Sequence, residues 1–186
     1  GLISPMADKK GITLKLEAEA DLPIVHTDVK KFQQIIFNFL SNAVKFTPGA
    51  GEVGAGSKSE ITLRAERVVG TIPAAASEPA PGDRIRVSVI DSGPGIAPED
   101  QSRIFEKFQQ LSRGHAREHA GTGLGLTICK ELAAVLQGEI QLVSDVGRGS
   151  MFSVLVPLAP DPTRLRETQS EARFRGALRQ AVAAGS

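Results

Sequence analysis

The chain has 186 residues, 22 Lys and Arg against 21 Asp and Glu, and a formal charge of +1, which suits one domain with a short appendage and gives no footing to nucleic acid or an acidic membrane as partner. Trp and Tyr are absent and only eight Phe remain for stacking on bases, which weakens a nucleic-acid reading further. The single cysteine, Cys129, excludes an internal disulfide framework and fits a reducing compartment, and no apolar run approaches the roughly 20 residues that span a bilayer.

Residues 1–10 read as a cut made inside a longer protein. ITLKLEAE (12–19) then alternates strictly, with Ile12, Leu14, Leu16 and Ala18 on one side, and predicts a half-buried strand. Asp28 is placed to cap a helix running to about Phe46, where Thr47-Pro48-Gly49 stops it. Two further alternating runs, 60–69 and 83–91, predict neighbouring strands, separated by GTIPAAASEPAPG (70–82), which has no periodicity and reads as a loop. A short helix is predicted over 97–108 and a loop over 109–123. A second long helix follows at 124–137, with Leu124, Ile128, Leu132, Val135 and Leu136 on one side and Gly138 as its stop. EIQLVSD and SMFSVLVPL flank VGRG as a hairpin, and the tail from Pro160 has Phe174, Leu178 and Val182 at helical spacing. This order predicts an α+β fold: a two-layer α/β sandwich, with a mostly antiparallel, mixed sheet and helices packed on one face.

Four stretches carry chemistry. On the first long helix Asn38, Asn42 and Lys45 fall within about 60° of one another at about 100° per residue, opposite Phe32, Ile36, Phe39 and Ala43. A solvated polar face would explain one asparagine, but two such mediocre helix formers one turn apart, with a lysine, favour a site. Asparagine oxygens can ligate Mg²⁺ and a lysine can hold phosphate charge. VSVIDSGPGI ends a strand in Asp91 and turns at Gly93 and Gly95; on its own this is an ordinary turn, or else a carboxylate that accepts from a ligand amine, with glycines letting the ligand approach. Phe105 and Phe108 in RIFEKFQQ fit core packing whatever else they do. Gly121, Gly123 and Gly125 precede a helix, where free N–H groups and the helix dipole favour an anion.

Three familiar phosphate designs fail here. No stretch supplies the G-x-x-x-x-G-K-[ST] loop, the spacing G-x-G-x-G does not follow a strand as a dinucleotide fingerprint must, and neither H-R-D nor D-F-G is present. NFLSNAVKFTP, DSGPGI, RIFEKF and GTGLGL, in that order, resemble the N box, first glycine box, F box and second glycine box of sensor histidine kinases, and GRGSMFSVLVPL resembles the last hairpin of that family. The match covers roughly residues 10–158. One box would be weak, whereas four in order are highly specific.

The resemblance implies the ATP-binding sandwich shared with type II topoisomerases and mismatch-repair ATPases, with ATP and Mg²⁺ as ligands. By position it makes Asn42 the Mg²⁺ ligand, Asn38 a neighbouring phosphate and metal-site contact, and Lys45 the phosphate-facing lysine. Asp91 becomes the carboxylate that reads the adenine amino group, with Gly93 and Gly95 opening its pocket. Gly121, Thr122, Gly123, Leu124 and Gly125 end an ATP lid at 109–123, and Ile96, Phe105, Phe108 and Ser150 complete the nucleotide site. Implied too are residues 1–10 as the end of a linker from an upstream helical domain, an ATP-binding domain at 11–159 with a loop insertion at 49–83, and 160–186 as a tail or linker helix. A cytoplasmic domain is implied, with no membrane contact of its own, partnered by a dimerisation and phosphoacceptor domain and by a downstream response regulator.

Departures from the family pattern are Lys107 where proline or arginine is common, Ser150 where threonine is common, and the length of 49–83. The phosphoacceptor segment is missing, and none of His26, His115 and His119 is placed as its substitute, so the base and the accepting histidine are expected elsewhere. Two alternatives are a nucleotide-binding regulatory module without phosphotransfer and an ATP-hydrolysing clamp relative. The clamp chemistry needs a glutamate base on the first long helix, and no Glu lies between Asp28 and Phe46.

Overall fold

The computed structural model describes residues 3–52, 58–68, 83–106 and 125–158. Five strands form one sheet: β1 (Thr13–Ala18), β2 (Glu60–Val68), β3 (Arg84–Asp91), β4 (Glu139–Asp145) and β5 (Gly149–Pro157), ordered β1-β2-β3-β5-β4. Only β1 and β2 run parallel; every other pair is antiparallel. The helices are α1 (Ile3–Lys10), α2 (Val29–Phe46), the single turn α3 (Pro98–Gln101) and α4 (Gly125–Val135), with a 3-10 turn at Arg103–Phe105.

Alternation along the central strands divides the sheet. Ile85, Val87 and Val89 of β3 and Phe152, Val154 and Val156 of β5 are buried in one cluster with Ile35, Phe39, Ala43 and Val44 of α2 and Cys129 and Ala133 of α4. Phe39 sets its ring 5.6 Å from that of Phe152. The intervening positions carry the ion pairs Arg64–Glu17 and Arg86–Glu66 together with the buried Ser88, Ser153 and Leu155, so the sheet has one helix-covered face and one of mixed character. The predicted two-layer α+β architecture is therefore the observed one, and α2 begins and ends where its predicted cap and stop place it.

Several local expectations are corrected. The first strand forms as predicted but is not half-buried: all six residues of β1 are exposed, with Leu16 at 76%, because this edge strand lies beyond the reach of the helical layer and only Ile12, just before it, is buried. The predicted helix 97–108 breaks at Ser102 into α3 and the 3-10 turn. The 49–83 region is not one loop insertion, since β2 occupies its middle and pairs on both sides. On α4 the buried seam runs through Cys129, Ala133 and Leu136 and leaves Val135 exposed, because small side chains let α4 approach α2 closely. Gly138 does not supply the left-handed residue that ends this helix. Gln137 does, at φ 57°, and the N–H groups of Gln137 and Gly138 close onto the carbonyls of Ala134 and Ala133. Glycine is needed at 138 for another reason: a Cβ there would lie 2.3 Å from the Leu155 carbonyl oxygen. The expected loops at 70–82 and 109–123, Leu124, Phe108 and the tail from 160 fall outside the described residues.

Residues 3–10, expected from sequence as the end of a linker, form a helix that is part of this packing. Ala7 is fully buried, and the Lys10 Nζ donates to the carbonyls of Val44, Lys45 and Thr47 at 2.9, 3.0 and 3.2 Å. A cation thus satisfies the acceptors left open at the end of α2 and complements its dipole. Lys10→Met is expected to lower the unfolding free energy by about 1.5–3 kcal/mol, whereas Lys9→Met, on an exposed neighbour, should stay within about 0.5 kcal/mol; urea unfolding of the two variants beside the parent checks this.

Candidate functional site

The first component lies on α2. The Asp28 side chain accepts from the Lys31 N–H at 3.1 Å and starts the helix, and burial of Ile35, Phe39 and Ala43 fixes its rotation. Asn38, Asn42 and Lys45 are then all half-buried along the other side. Asn42 makes no side-chain hydrogen bond to a described residue, and Lys45 forms no ion pair among them, its Nζ standing 5.0 Å from the Phe46 ring centroid. Partial burial holds the Lys45 ammonium below the usual lysine range. A half-buried cation without an ion pair and an amide without a hydrogen bond among the described residues fit an anionic ligand.

Asn38 has a different neighbour. Its Nδ2 reaches Cys129 Sγ at 3.5 Å, and a Cβ on Gly125 would lie 3.8 Å from its Oδ1, so the opening turn of α4 faces α2 at Asn38. The first amides of an α-helix have no acceptor within it, which puts donors and the positive end of a dipole beside the asparagine. Burial pushes the Cys129 thiol up to about 11, which makes it an inert packing group. Phe105 braces the same turn: its carbonyl accepts from Thr127 Oγ1 at 3.0 Å and its ring lies 4.2 Å from Lys130 Nζ.

Asp91 forms the second component. It closes β3 on the helix-covered face, opposite Ser150 in the β3–β5 pairing, and is 8% exposed. Burial is the dominant influence and raises its carboxyl to about 6, against the opposing hydrogen bonds from the backbone N–H groups of Gly93 (2.8 Å) and Ser150. The glycines nearby do not stand where an approaching ligand alone would require them. A Cβ on Gly93 would fall 2.7 Å from Asp91 Oδ1, and one on Gly95, at φ +69°, would fall 1.9 Å from the Asp145 carbonyl oxygen. Both glycines admit the protein's own chain: the turn onto Asp91, and the β4–β5 hairpin. Ile96 is half-buried against the core, and its N–H donates to Ser144 Oγ at 2.8 Å.

The structure thus brings Asn38 to Gly125, and Asp91 to Gly93 and Ser150, while Phe108, Gly121, Thr122, Gly123 and Leu124 lie outside the described residues. An apolar groove of about 300 Å³ lined by Phe32, Ile36, Leu40, Leu63 and Val87 contains none of the predicted site residues. Among the described residues no group of three His, Cys, Asp or Glu side chains could hold a metal, and no helix is long and apolar enough to cross a membrane. Sequence reasoning missed Lys10, Gln101 and Ser144. Ser144 had a readable signal, a polar residue continuing the inward series Ile140, Leu142; Gln101 had none.

Comparison with known proteins identifies the family. The model of the family described as histidine kinase-, DNA gyrase B-, and HSP90-like ATPase matches residues 27–160. The chain is 36% identical over 155 residues to the autoinducer 2 sensor kinase/phosphatase LuxQ of Vibrio vulnificus strain YJ016, covering 83% of this chain and 16% of that protein. It is 38% identical over 146 residues to the circadian input-output histidine kinase CikA of Synechococcus elongatus, covering 78% of this chain and 17% of that protein. The chain therefore spans about a sixth of the length of these curated relatives. Among solved structures, full-length ShkA in complex with AMPPNP superposes with a TM-score of 0.63 at 35% identity, over 84% of this chain and 27% of that one. The nucleotide-free catalytic domain of the histidine kinase ThkA does so with 0.63 at 27% identity, over 86% and 88%. The chain belongs to the histidine kinase-, DNA gyrase B- and HSP90-like ATPase family, as an ATP-binding catalytic domain of the sensor histidine kinase type.

Proposed function

We propose that this domain holds ATP with its adenine amine on Asp91 and its phosphates between α2 and the start of α4, and delivers the γ-phosphoryl group to a histidine on a separate dimerisation and phosphoacceptor domain. The observation that carries the reading is a nearly buried carboxylate at the end of β3, combined with an Asn42 without a side-chain hydrogen bond and a Lys45 without an ion pair among the described residues, on the helix whose Asn38 meets the opening turn of α4. Asp91 accepts and cannot donate when ionised, so it selects an amine at the base. Ser150 pairs with it across the sheet, Ile96 is tied to Ser150 through Ser144, and both are assigned to the same pocket. Lys45 and the amides at the start of α4 supply positive charge toward phosphate, Gly121, Thr122, Gly123 and Leu124 are assigned to the same role by family resemblance alone, and Phe105 braces the start of α4.

Mg²⁺ fits the donor set. Asn42 offers an uncommitted amide oxygen, and a metal shared with phosphate oxygens and water needs few protein ligands. When bound, Mg²⁺ neutralises phosphate charge; Asn42 would hold it, with Asn38 next to it. The remaining work is positioning: transfer breaks the bond from the γ-phosphorus to its bridging oxygen, forms a phosphorus–nitrogen bond on the accepting imidazole and releases ADP. His26 is a poor acceptor, being exposed on a stretch whose backbone N–H is tied to the Leu158 carbonyl at 2.7 Å. A response regulator is the onward partner, and the domain works in the cytoplasm.

Supplying phosphoacceptor helices of the parent kinase in trans with labelled ATP should give acid-labile label on those helices. Nucleotide binding without any transfer would leave the regulatory-module reading, and label on His26, His115 or His119 of the isolated chain would contradict the assignment. Asn42→Ala should remove most of the gain in ATP affinity that Mg²⁺ confers while leaving affinity in EDTA within about twofold, as followed by calorimetry. Asp91→Asn should weaken ATP binding by about tenfold or more, since each unmade polar contact in a buried site costs about 1–3 kcal/mol. The same substitution should also reveal the cost of the buried charge. An acid raised from 3.8 to about 6 binds its proton more tightly folded than unfolded, so its stabilising contribution is present below about pH 4 and lost as pH rises to about 6. The stability of Asp91→Asn relative to the nucleotide-free parent should therefore improve by on the order of 2–3 kcal/mol between about pH 4 and pH 7; a pH-independent difference in urea unfolding would contradict this.

A further inference from the structure

Two side chains outside the assigned pocket tie it together. Gln101, the last residue of α3, donates from Nε2 to the carbonyls of Ile96 at 3.1 Å and Ser144 at 2.9 Å, joining the 92–97 turn to strand β4. Ser144 works from the other side. Its Oγ donates to the Gly149 carbonyl at 3.0 Å, receives the Ile96 N–H at 2.8 Å and lies 2.9 Å from Ser150 Oγ. Both serines are buried, at 9% and 7% exposure.

A hydroxyl has one proton. With that of Ser144 on Gly149, the contact between the serines takes its proton from Ser150, so Ser150 can offer the pocket only an acceptor. The residue paired with Ser150 across the sheet is Asp91, also an acceptor when ionised. A base presenting an amine can donate to such a pair, while one presenting a carbonyl at that position meets lone pairs with lone pairs.

We propose that Gln101 and Ser144 are positioning residues for adenine recognition: together they lock the 92–97 turn onto the β4–β5 hairpin and fix the Ser150 hydroxyl as an acceptor beside Asp91. This rests on the reading of Asp91 as the group that meets the adenine amine. It makes base selectivity a property of the hydrogen-bonded latch as well as of the carboxylate, and it separates these residues from ones that merely stabilise the fold.

Calorimetric titration with Mg-ATP and Mg-ITP tests it, because hypoxanthine carries a carbonyl where adenine carries the amine. Ser144→Ala and Gln101→Leu should each lower ATP affinity roughly five- to tenfold, the effect of one or two lost hydrogen bonds, and change ITP affinity less than twofold, so the preference for ATP narrows. Gln101→Glu keeps the size of the side chain and replaces its two donor hydrogens by acceptors, and it should narrow the preference likewise if Gln101→Leu fails to fold. Equal losses for the two nucleotides, or no loss for either, would overturn the proposal and leave a structural role only. A parent that binds ATP and ITP equally would overturn the Asp91 reading itself, a result distinct from an unchanged preference in the variants.

Discussion

The structure is organised around a carboxylate kept nearly out of water. Asp91 ends a central strand on the face that α2 and α4 cover, and burial, outweighing two backbone hydrogen bonds, raises its carboxyl to about 6. Such a group is unfavourable in the empty fold and is tolerated because backbone N–H groups of Gly93 and Ser150 partly compensate it. Its surroundings follow from that need. Gly93 is small enough to present its amide, Gly95 lets the turn pass under the Asp145 carbonyl, and the β3–β5 register sets Ser150 opposite. In the proposed site a ligand amine would complete what the protein leaves unfinished, a local conflict of the kind functional sites retain.

The proposed phosphate side depends on how closely two helices approach. Ala43 of α2 and Cys129 and Ala133 of α4 are all buried, and such small side chains bring the opening turn of α4 against Asn38. The apolar side of α2 is anchored by Phe39 on Phe152, which turns Asn42 and Lys45 to the other side of the helix. Lys10 closes the end of the same helix through three carbonyls, so a residue of α1 steadies the turn that carries Lys45. Core packing and ligand geometry are here the two sides of one helix.

Most of the fold could be read from periodicity and caps. Asp28, the alternation over 60–69 and 83–91, and the VGRG turn each specify an element through local chemistry, and those elements stand where they were placed. What local pattern cannot give is the neighbour. The alternation of β1 specifies a strand but not whether anything covers Leu14 and Leu16, and the stripe on α4 does not reveal that small residues form the tighter seam. The site divides in the same way. Asn38, Asn42, Lys45 and Asp91 announce themselves as polar residues at odd places, whereas Gln101 acts through carbonyls 5 and 43 residues away in sequence. The glycine at 95 was legible as a glycine but not in its reason, since its close neighbour is the hairpin.

The most direct measurement is a carbon-13 NMR titration of the Asp91 carboxyl, with and without a saturating, non-hydrolysable ATP analogue. The account requires a midpoint near 6 in the free protein and a fall of at least one pH unit with the analogue bound, since an amine donor favours the ionised form. A midpoint near 3.8 in the free protein, or one that nucleotide leaves unmoved, would contradict it.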